Sequence, residues 1–124
     1  MILADTSIWI DHFRRGDPAL VRLLEQGGVC CHPFVVGELA LGGLVNRREI
    51  LGHLMELPKA EVATDDEVLR IIEIEALAGS GIGYIDAHLL AATRLTGARL
   101  WARDRRLIEI ADRLSLGMPG SLPT

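Results

Sequence analysis

Met1-Ile-Leu-Ala-Asp-Thr-Ser7 sets the architecture of this chain. An apolar run ends in a carboxylate, and two hydroxyls follow at once. Such a run is the pattern of a buried strand that delivers an acid to the edge of a sheet. The carboxyl ends of strands are where open α/β sheets place their chemistry. The pattern returns at Ala98-Arg-Leu-Trp-Ala-Arg-Asp104. Gly83-Tyr-Ile-Asp86 sets a third Asp in the opening turn of an apolar helix, and Glu38 lies inside another helical segment. Acids at element ends and on helix faces point to one acidic pocket assembled from distant parts of the chain.

Working outward from residues 2–5 as a buried strand, residues 6–13 read as a short helix that offers Ile8, Trp9 and Phe13 for packing. Asp17-Pro18 fits an N-cap followed by Pro at the first helical position. The helix over 18–26 turns Leu20, Val21, Leu23 and Leu24 inward, and residues 29–32 form a second strand. Helices are predicted over 33–44 and from Asn46 to about Pro58, the latter with Ile50, Leu51, Leu54 and Met55 at helical spacing. Residues 61–63 are expected to form a further strand. Thr64-Asp-Asp-Glu67 fits a capping box, with a helix running to about Ala78 and carrying Val68, Leu69, Ile71, Ile72 and Leu77. Residues 84–95 form a helix with Ile85, Leu89 and Ala92 on one face, closed by Gly97. A strand over 98–102 and a helix over 104–114 follow. The tail from Gly117 is either a last strand or irregular. Strands alternating with helices predict a parallel central sheet with helices on both faces, a three-layer α/β/α sandwich.

The length of 124 residues fits a single domain over 1–124. Such a chain buries roughly two-thirds of its unfolded surface. Hydrophobic residues make up 49% of the chain and aromatics only 4%, so the core is aliphatic. No window holds the roughly 18 apolar residues that span a bilayer, and Asp5 interrupts any secretory leader. The expected location is therefore cytoplasmic, with no membrane partner. Cys30 and Cys31 are adjacent, a poor arrangement for a structural disulfide, and read as small buried strand residues. The net charge of −4 argues against coating nucleic acid by bulk attraction. It leaves room for a nucleic-acid enzyme, because a carboxylate cluster takes its compensating charge from bound metal. The basic side is almost entirely Arg, with Lys59 the one Lys.

Asp86 and Asp104 each have a bland explanation, since Asp favours helix starts for capping and dipole reasons. Asp5 is harder to dismiss, because a charge closing a buried strand is costly without a partner. Glu38, in Phe34-Val-Val-Gly-Glu-Leu-Ala-Leu41, is more naturally pocket-facing than solvated. Two carboxylates 4 Å apart repel by about 4 kcal/mol at an effective dielectric of 20. Mg²⁺ or Mn²⁺ relieves that repulsion, and both prefer oxygen ligands.

The ordered set resembles a known family. Asp-Thr-Ser after the first strand, Glu in Gly37-Glu-Leu-Ala40, Asp in Tyr84-Ile-Asp-Ala-His-Leu-Leu-Ala-Ala92 and Asp in Arg103-Asp-Arg-Arg-Leu107 resemble the PIN-domain ribonucleases, most closely the short VapC-type toxins of bacterial toxin–antitoxin pairs. Each motif alone is short; the specificity lies in their order and separation across nearly the whole chain. The resemblance implies an endoribonuclease dependent on one or two Mg²⁺ or Mn²⁺ ions, with Asp5, Glu38, Asp86 and Asp104 as the acidic quartet. Ser7, or Thr6, is implied to support the site by hydrogen bonding to a carboxylate. Water rather than the ribose 2′-hydroxyl attacks, leaving 5′-phosphate and 3′-hydroxyl ends. The implied partners are RNA, a cognate antitoxin and a second copy in a homodimer, and the implied consequence is inhibited translation. One departure stands out. Where the family often has Thr or Ser two residues before the last Asp, this chain has Ala102, so Ser7 is expected to help orient Asp104.

Arg103, Arg105 and Arg106 flank Asp104, and Arg14-Arg15 follow the first helix. They are candidates for holding RNA phosphates, against the alternative of a solvated helix face. Trp9 and Phe13 are core residues or line the antitoxin's groove, and Trp101 is core. His12, His32, His53 and His88 show no ligand spacing and are given no catalytic role. The aspartyl-phosphate phosphatases also begin with Asp after a first strand, but they need a second Asp where this chain has Ser7. A catalytically impaired binding module of the same fold, and a single-strand DNA nuclease of the same fold, remain as alternatives.

Overall fold

The structure is a computed structural model and describes residues 1–119. The strands are β1 (Ile2–Ala4), β2 (Val29–Cys30) and β3 (Arg99–Trp101). The helices are α1 (Thr6–Arg15), α2 (Pro18–Glu25), α3 (Pro33–Leu41), α4 (Arg47–Glu56), α5 (Asp65–Ile74), α6 (Tyr84–Thr96) and α7 (Arg105–Arg113). The sheet is parallel with order β2-β1-β3. Register pairs Ile2 with Val29 and Arg99, Leu3 with Cys30 and Leu100, and Ala4 with Trp101. Helices cover the sheet in the three-layer α/β/α arrangement, with α1 packed on β1 and α3, and α6 packed on β3 and α5.

β1 is buried along its whole length, as a central parallel strand between two helical layers must be. Single bridges widen the sheet on both sides, Cys31 to Lys59 and Leu100 to Gly117. The first corrects the expected strand at 61–63. The pairing falls at Lys59, just past Pro58, where Cys31 N donates to Pro58 O at 2.8 Å and Ala60 N to Cys31 O at 3.0 Å. Beyond it the buried residues are Ala60 and Ala63, three apart, which breaks the alternation a strand needs. Gly117 supplies a bridge, and the rest of the expected tail strand, residues 120–124, lies outside the described residues.

Local chemistry sets the helix boundaries. Asp17 caps α2 through Ala19 N and Leu20 N, and Thr64 with Glu67 forms a complete capping box on α5. Gly97 ends α6 with φ +72°, a left-handed conformation in which Gly carries no Cβ penalty. α3 stops at Leu41 before Gly42 and Gly43, and α5 stops at Ile74 before a left-handed Ala76.

The main core joins Leu3, Ile8, Leu20, Leu39, Leu90 and Leu107 around the sheet, with Trp9, Cys30, Cys31 and Trp101 also buried. A smaller cluster of Ala63, Val68, Ile71, Ala87 and Ala91 seals α5 against α6. Both cysteines are free thiols. Val21, expected to face inward, is exposed, as are Met55, Leu69 and Ile85 from the apolar patterns of their helices. No helix among the described residues is long and apolar enough to cross a membrane.

Candidate active site

Asp5 stands where β1 gives way to α1. Its N–H donates to Trp101 O at 2.9 Å, so the chain is still held to β3 one residue past the strand. Its carboxylate accepts from Thr6 N at 2.7 Å and from the Ser7 hydroxyl at 3.1 Å. Burial pushes the Asp5 carboxyl up from its ordinary range. The Thr6 and Ser7 donors oppose that, and the negative charges of Asp86 and Glu38 add to it.

Asp86 lies in the first turn of α6 and is half-buried. Its Oδ2 accepts from Gly83 N at 3.3 Å. Burial again raises its pKa, the Gly83 N–H lowers it, and the charges of Asp104 and Glu38 raise it further. Glu38, exposed on α3, accepts from the Thr6 hydroxyl at 2.6 Å. Asp104 caps α7, accepting from Leu107 N at 3.1 Å.

The predicted acids lie within electrostatic reach of one another pair by pair, from Asp5 at the end of β1 outward. Asp5 feels Asp86 and Glu38, and Asp86 feels Asp104 and Glu38. The arrangement is open. Among the described residues no three His, Cys, Asp or Glu side chains already converge as a metal-binding group. The donor set suits a hard divalent cation, because every contributor is a carboxylate oxygen and Asp5 and Asp86 sit in partly desolvated, mutually repelling surroundings. Mg²⁺ is usually held by one or two carboxylates and completed by water and phosphate, which an open arrangement allows.

Both supporting hydroxyls engage, with a division of labour the sequence does not display. Ser7 holds Asp5, not Asp104 as expected, and Thr6 holds Glu38. Ala102 is buried and brings no hydroxyl to Asp104.

The arginines separate into two groups. Arg103 departs from the phosphate-binding expectation. Its guanidinium is committed to Asp11 at 3.0 Å and Asp17 at 3.3 Å, and it lies 5.8 Å from the Trp101 ring. It clamps α1 to the start of α2 at the rim of a cleft that also holds Arg15 and Arg22 and none of the clustered acids. Arg15 pairs with Asp11 at 3.5 Å. Arg14, Arg105 and Arg106 are exposed.

Two histidines, His32 at the start of α3 and His88 on α6, are buried. His32 caps α3, accepting from Phe34 N at 3.0 Å through Nδ1. His88 Nε2 approaches Asp65 Oδ1 at 3.3 Å. Both rings pack edgewise on Phe34, and His32 Nε2 and His88 Nδ1 are buried without hydrogen-bond partners.

A family model of the PIN domain matches residues 2–113. Ribonuclease VapC32 of Mycobacterium tuberculosis strain CDC 1551 / Oshkosh is 49% identical over 108 residues, covering 86% of this chain and 87% of that protein. Its counterpart in strain ATCC 25618 / H37Rv gives the same values. With the parallel sheet, the acids at its carboxyl edge and these matches together, the chain belongs to the PIN-domain family, among its VapC-type members.

Proposed function

We propose that this protein is a metal-dependent endoribonuclease, the toxin of a toxin–antitoxin pair, which acts in the cytoplasm and inhibits translation by cutting RNA. The name Ribonuclease VapC32 on the 49%-identical relatives supports ribonuclease activity. The observation that carries the reading is the gathering of Asp5 and Glu38 by the Thr6–Ser7 segment, with Asp86 and Asp104 held at two helix starts.

In this reading Asp5, Asp86 and Asp104 hold one Mg²⁺ or Mn²⁺, and Glu38 holds a second ion or the attacking water. When bound, the cation activates water for in-line attack and offsets charge growing on the phosphate. The chain's own groups arrange the acids for this. Thr6 N and the Ser7 hydroxyl fix both oxygens of Asp5. The Thr6 hydroxyl draws Glu38 toward the same segment, and backbone donors orient Asp86 and Asp104. Arg14 and Arg105 offer exposed cations to the incoming RNA backbone, while Arg15 is paired with Asp11.

A cognate antitoxin and a second copy of the chain complete the assembly. The apolar side chains of Leu41 and Val45, 91% and 79% exposed, offer surface for protein partners to cover. The test is cleavage of RNA by purified protein in Mg²⁺ or Mn²⁺, with EDTA and Asp5→Asn as controls and single-stranded DNA in parallel. Loss of cleavage under both controls, with 5′-phosphate ends on the products, supports the reading. Metal-independent cleavage, or DNA cleavage alone, overturns it.

A further inference from the structure

Arg106 and Gly81 join the two helix starts that carry Asp104 and Asp86. Arg106 lies in the first turn of α7, two residues past Asp104. Gly81 lies two residues before Gly83, whose N–H donates to Asp86. The Arg106 side chain crosses from α7 and packs against Gly81. A Cβ at that position would stand 2.6 Å from Arg106 Nη1 and 3.0 Å from its Cδ. Gly81 also has φ +91°, where a side chain is strained whatever the space. The positive φ calls for glycine here, and the absent Cβ leaves the room that this flexible arginine occupies.

Arg106 forms no ion pair with a carboxylate among the described residues, whereas Arg103 is taken up by Asp11 and Asp17. Its guanidinium lies over Gly81, two residues before the Gly83 N–H that holds Asp86. A polyanion approaching a group of carboxylates meets repulsion, so a cation fixed at the rim both draws the strand in and sets its register. A guanidinium suits that task because its planar donors match phosphate oxygens.

We propose that Arg106 is a substrate-binding residue that takes a phosphodiester beside the scissile one, and that Gly81 is a positioning residue that aims it. The proposal rests on the reading that the acidic site cleaves a polynucleotide. The experiment measures binding of a short labelled single-stranded RNA, and of DNA of the same sequence, by fluorescence anisotropy over a salt series. Ca²⁺ replaces Mg²⁺ there to suppress cleavage, and steady-state RNA cleavage is measured separately in Mg²⁺.

Arg106→Ala is expected to weaken RNA binding roughly tenfold. It should also flatten the log–log salt slope by about 0.7, the share of one single-strand phosphate contact. The loss should appear in KM far more than in kcat. Arg106→Lys should keep the slope and recover only part of the affinity. Gly81→Ala should weaken binding several-fold on its own and add nothing further to Arg106→Ala. An unchanged slope in Arg106→Ala overturns the proposal. So does a Gly81→Ala loss of the same size with and without Arg106, which marks general backbone damage. Arg106-dependent binding and cleavage of DNA alone would keep the phosphate contact and remove the ribonuclease reading. RNA cleavage indifferent to Arg106 would do the reverse.

Discussion

The Thr6 hydroxyl donates to Glu38 Oε1 at 2.6 Å, across 32 positions of sequence. Glu38 is exposed on α3, and this is the contact that draws it toward the segment holding Asp5. Residues 5–7 therefore organise two acids at once. Thr6 N and Ser7 Oγ hold Asp5, and Thr6 Oγ1 holds Glu38.

Thr6→Val removes that hydroxyl at nearly constant shape. Loss of a group that orients a metal-facing carboxylate typically costs ten- to a hundredfold in activity or metal affinity. RNA cleavage should fall by about that factor, while unfolding free energy changes by only about 1 kcal/mol. Thr6→Ser should restore most of the rate. Wild-type cleavage by Thr6→Val would show that Glu38 needs no help from Thr6.

Burial and neighbouring acids hold Asp5 and Asp86 at raised pKa. A carboxyl raised in the folded state binds a proton more readily there than in the unfolded chain. Its ionised form therefore opposes folding at neutral pH, and the metal-free protein gains stability from these groups as pH falls. Asp86→Asn should raise the melting temperature of metal-free protein at neutral pH while lowering cleavage at least about a hundredfold. Wild-type protein should gain about 2.7 kcal/mol from a divalent ion at a hundred times its Kd, and Asp86→Asn little of that. Thermal unfolding with and without Mn²⁺ separates the two states. A lower melting temperature for metal-free Asp86→Asn would contradict the electrostatic account.

Elements marked by local chemistry were legible in the sequence: the Asp17-Pro18 start, the Thr64–Glu67 box, the Gly97 stop and the buried β1. The positions of Asp5, Asp86 and Asp104 were legible because strand ends and helix starts announce themselves, whereas Glu38, read as pocket-facing rather than solvated, is exposed in the middle of α3. What stayed hidden depends on three-dimensional neighbours. Val21 lies beside the Leu20–Leu23–Leu24 stripe and is left on the open flank of α2. Ile85 belongs to the stripe of Leu89 by spacing, but the first turn of α6 carries Asp86 to the site and leaves Tyr84 and Ile85 exposed. Arg103 looked like its neighbours Arg105 and Arg106 until the α1–α2 corner brought Asp11 and Asp17 against it.

That corner gives a third test. Exposed ion pairs contribute about 0–1 kcal/mol each, and a cation–π contact adds about 0.5–1 kcal/mol. Arg103→Ala should therefore destabilise the protein by roughly 1–2 kcal/mol in urea unfolding. It should leave the salt slope of RNA binding unchanged, since its charge already serves Asp11 and Asp17. A slope reduced as in a phosphate-contact variant would return Arg103 to the RNA-binding surface.

His32 links the site's scaffold to pH. Its Nδ1 accepts the Phe34 N–H at the start of α3, so the proton sits on Nε2, which is buried without a partner. Burial, then the nearby His88, lowers its pKa from 6.5 to about 4. Between those values the unfolded chain binds the proton and the folded chain does not. The stabilisation is complete above the unfolded pKa and is lost as pH falls toward the folded one. By pH 5 the loss from this group is about 2 kcal/mol. Asn is a favoured N-cap and does not titrate, so His32→Asn keeps the cap and removes the pH dependence. Urea unfolding across this range should show wild-type stability falling relative to His32→Asn as the medium is acidified. The comparison cancels the opposite contribution of Asp5 and Asp86, which both proteins share. Parallel stability curves for the two proteins would mean that Nδ1 takes up its proton in the folded chain as readily as in the unfolded one, giving up the Phe34 N–H.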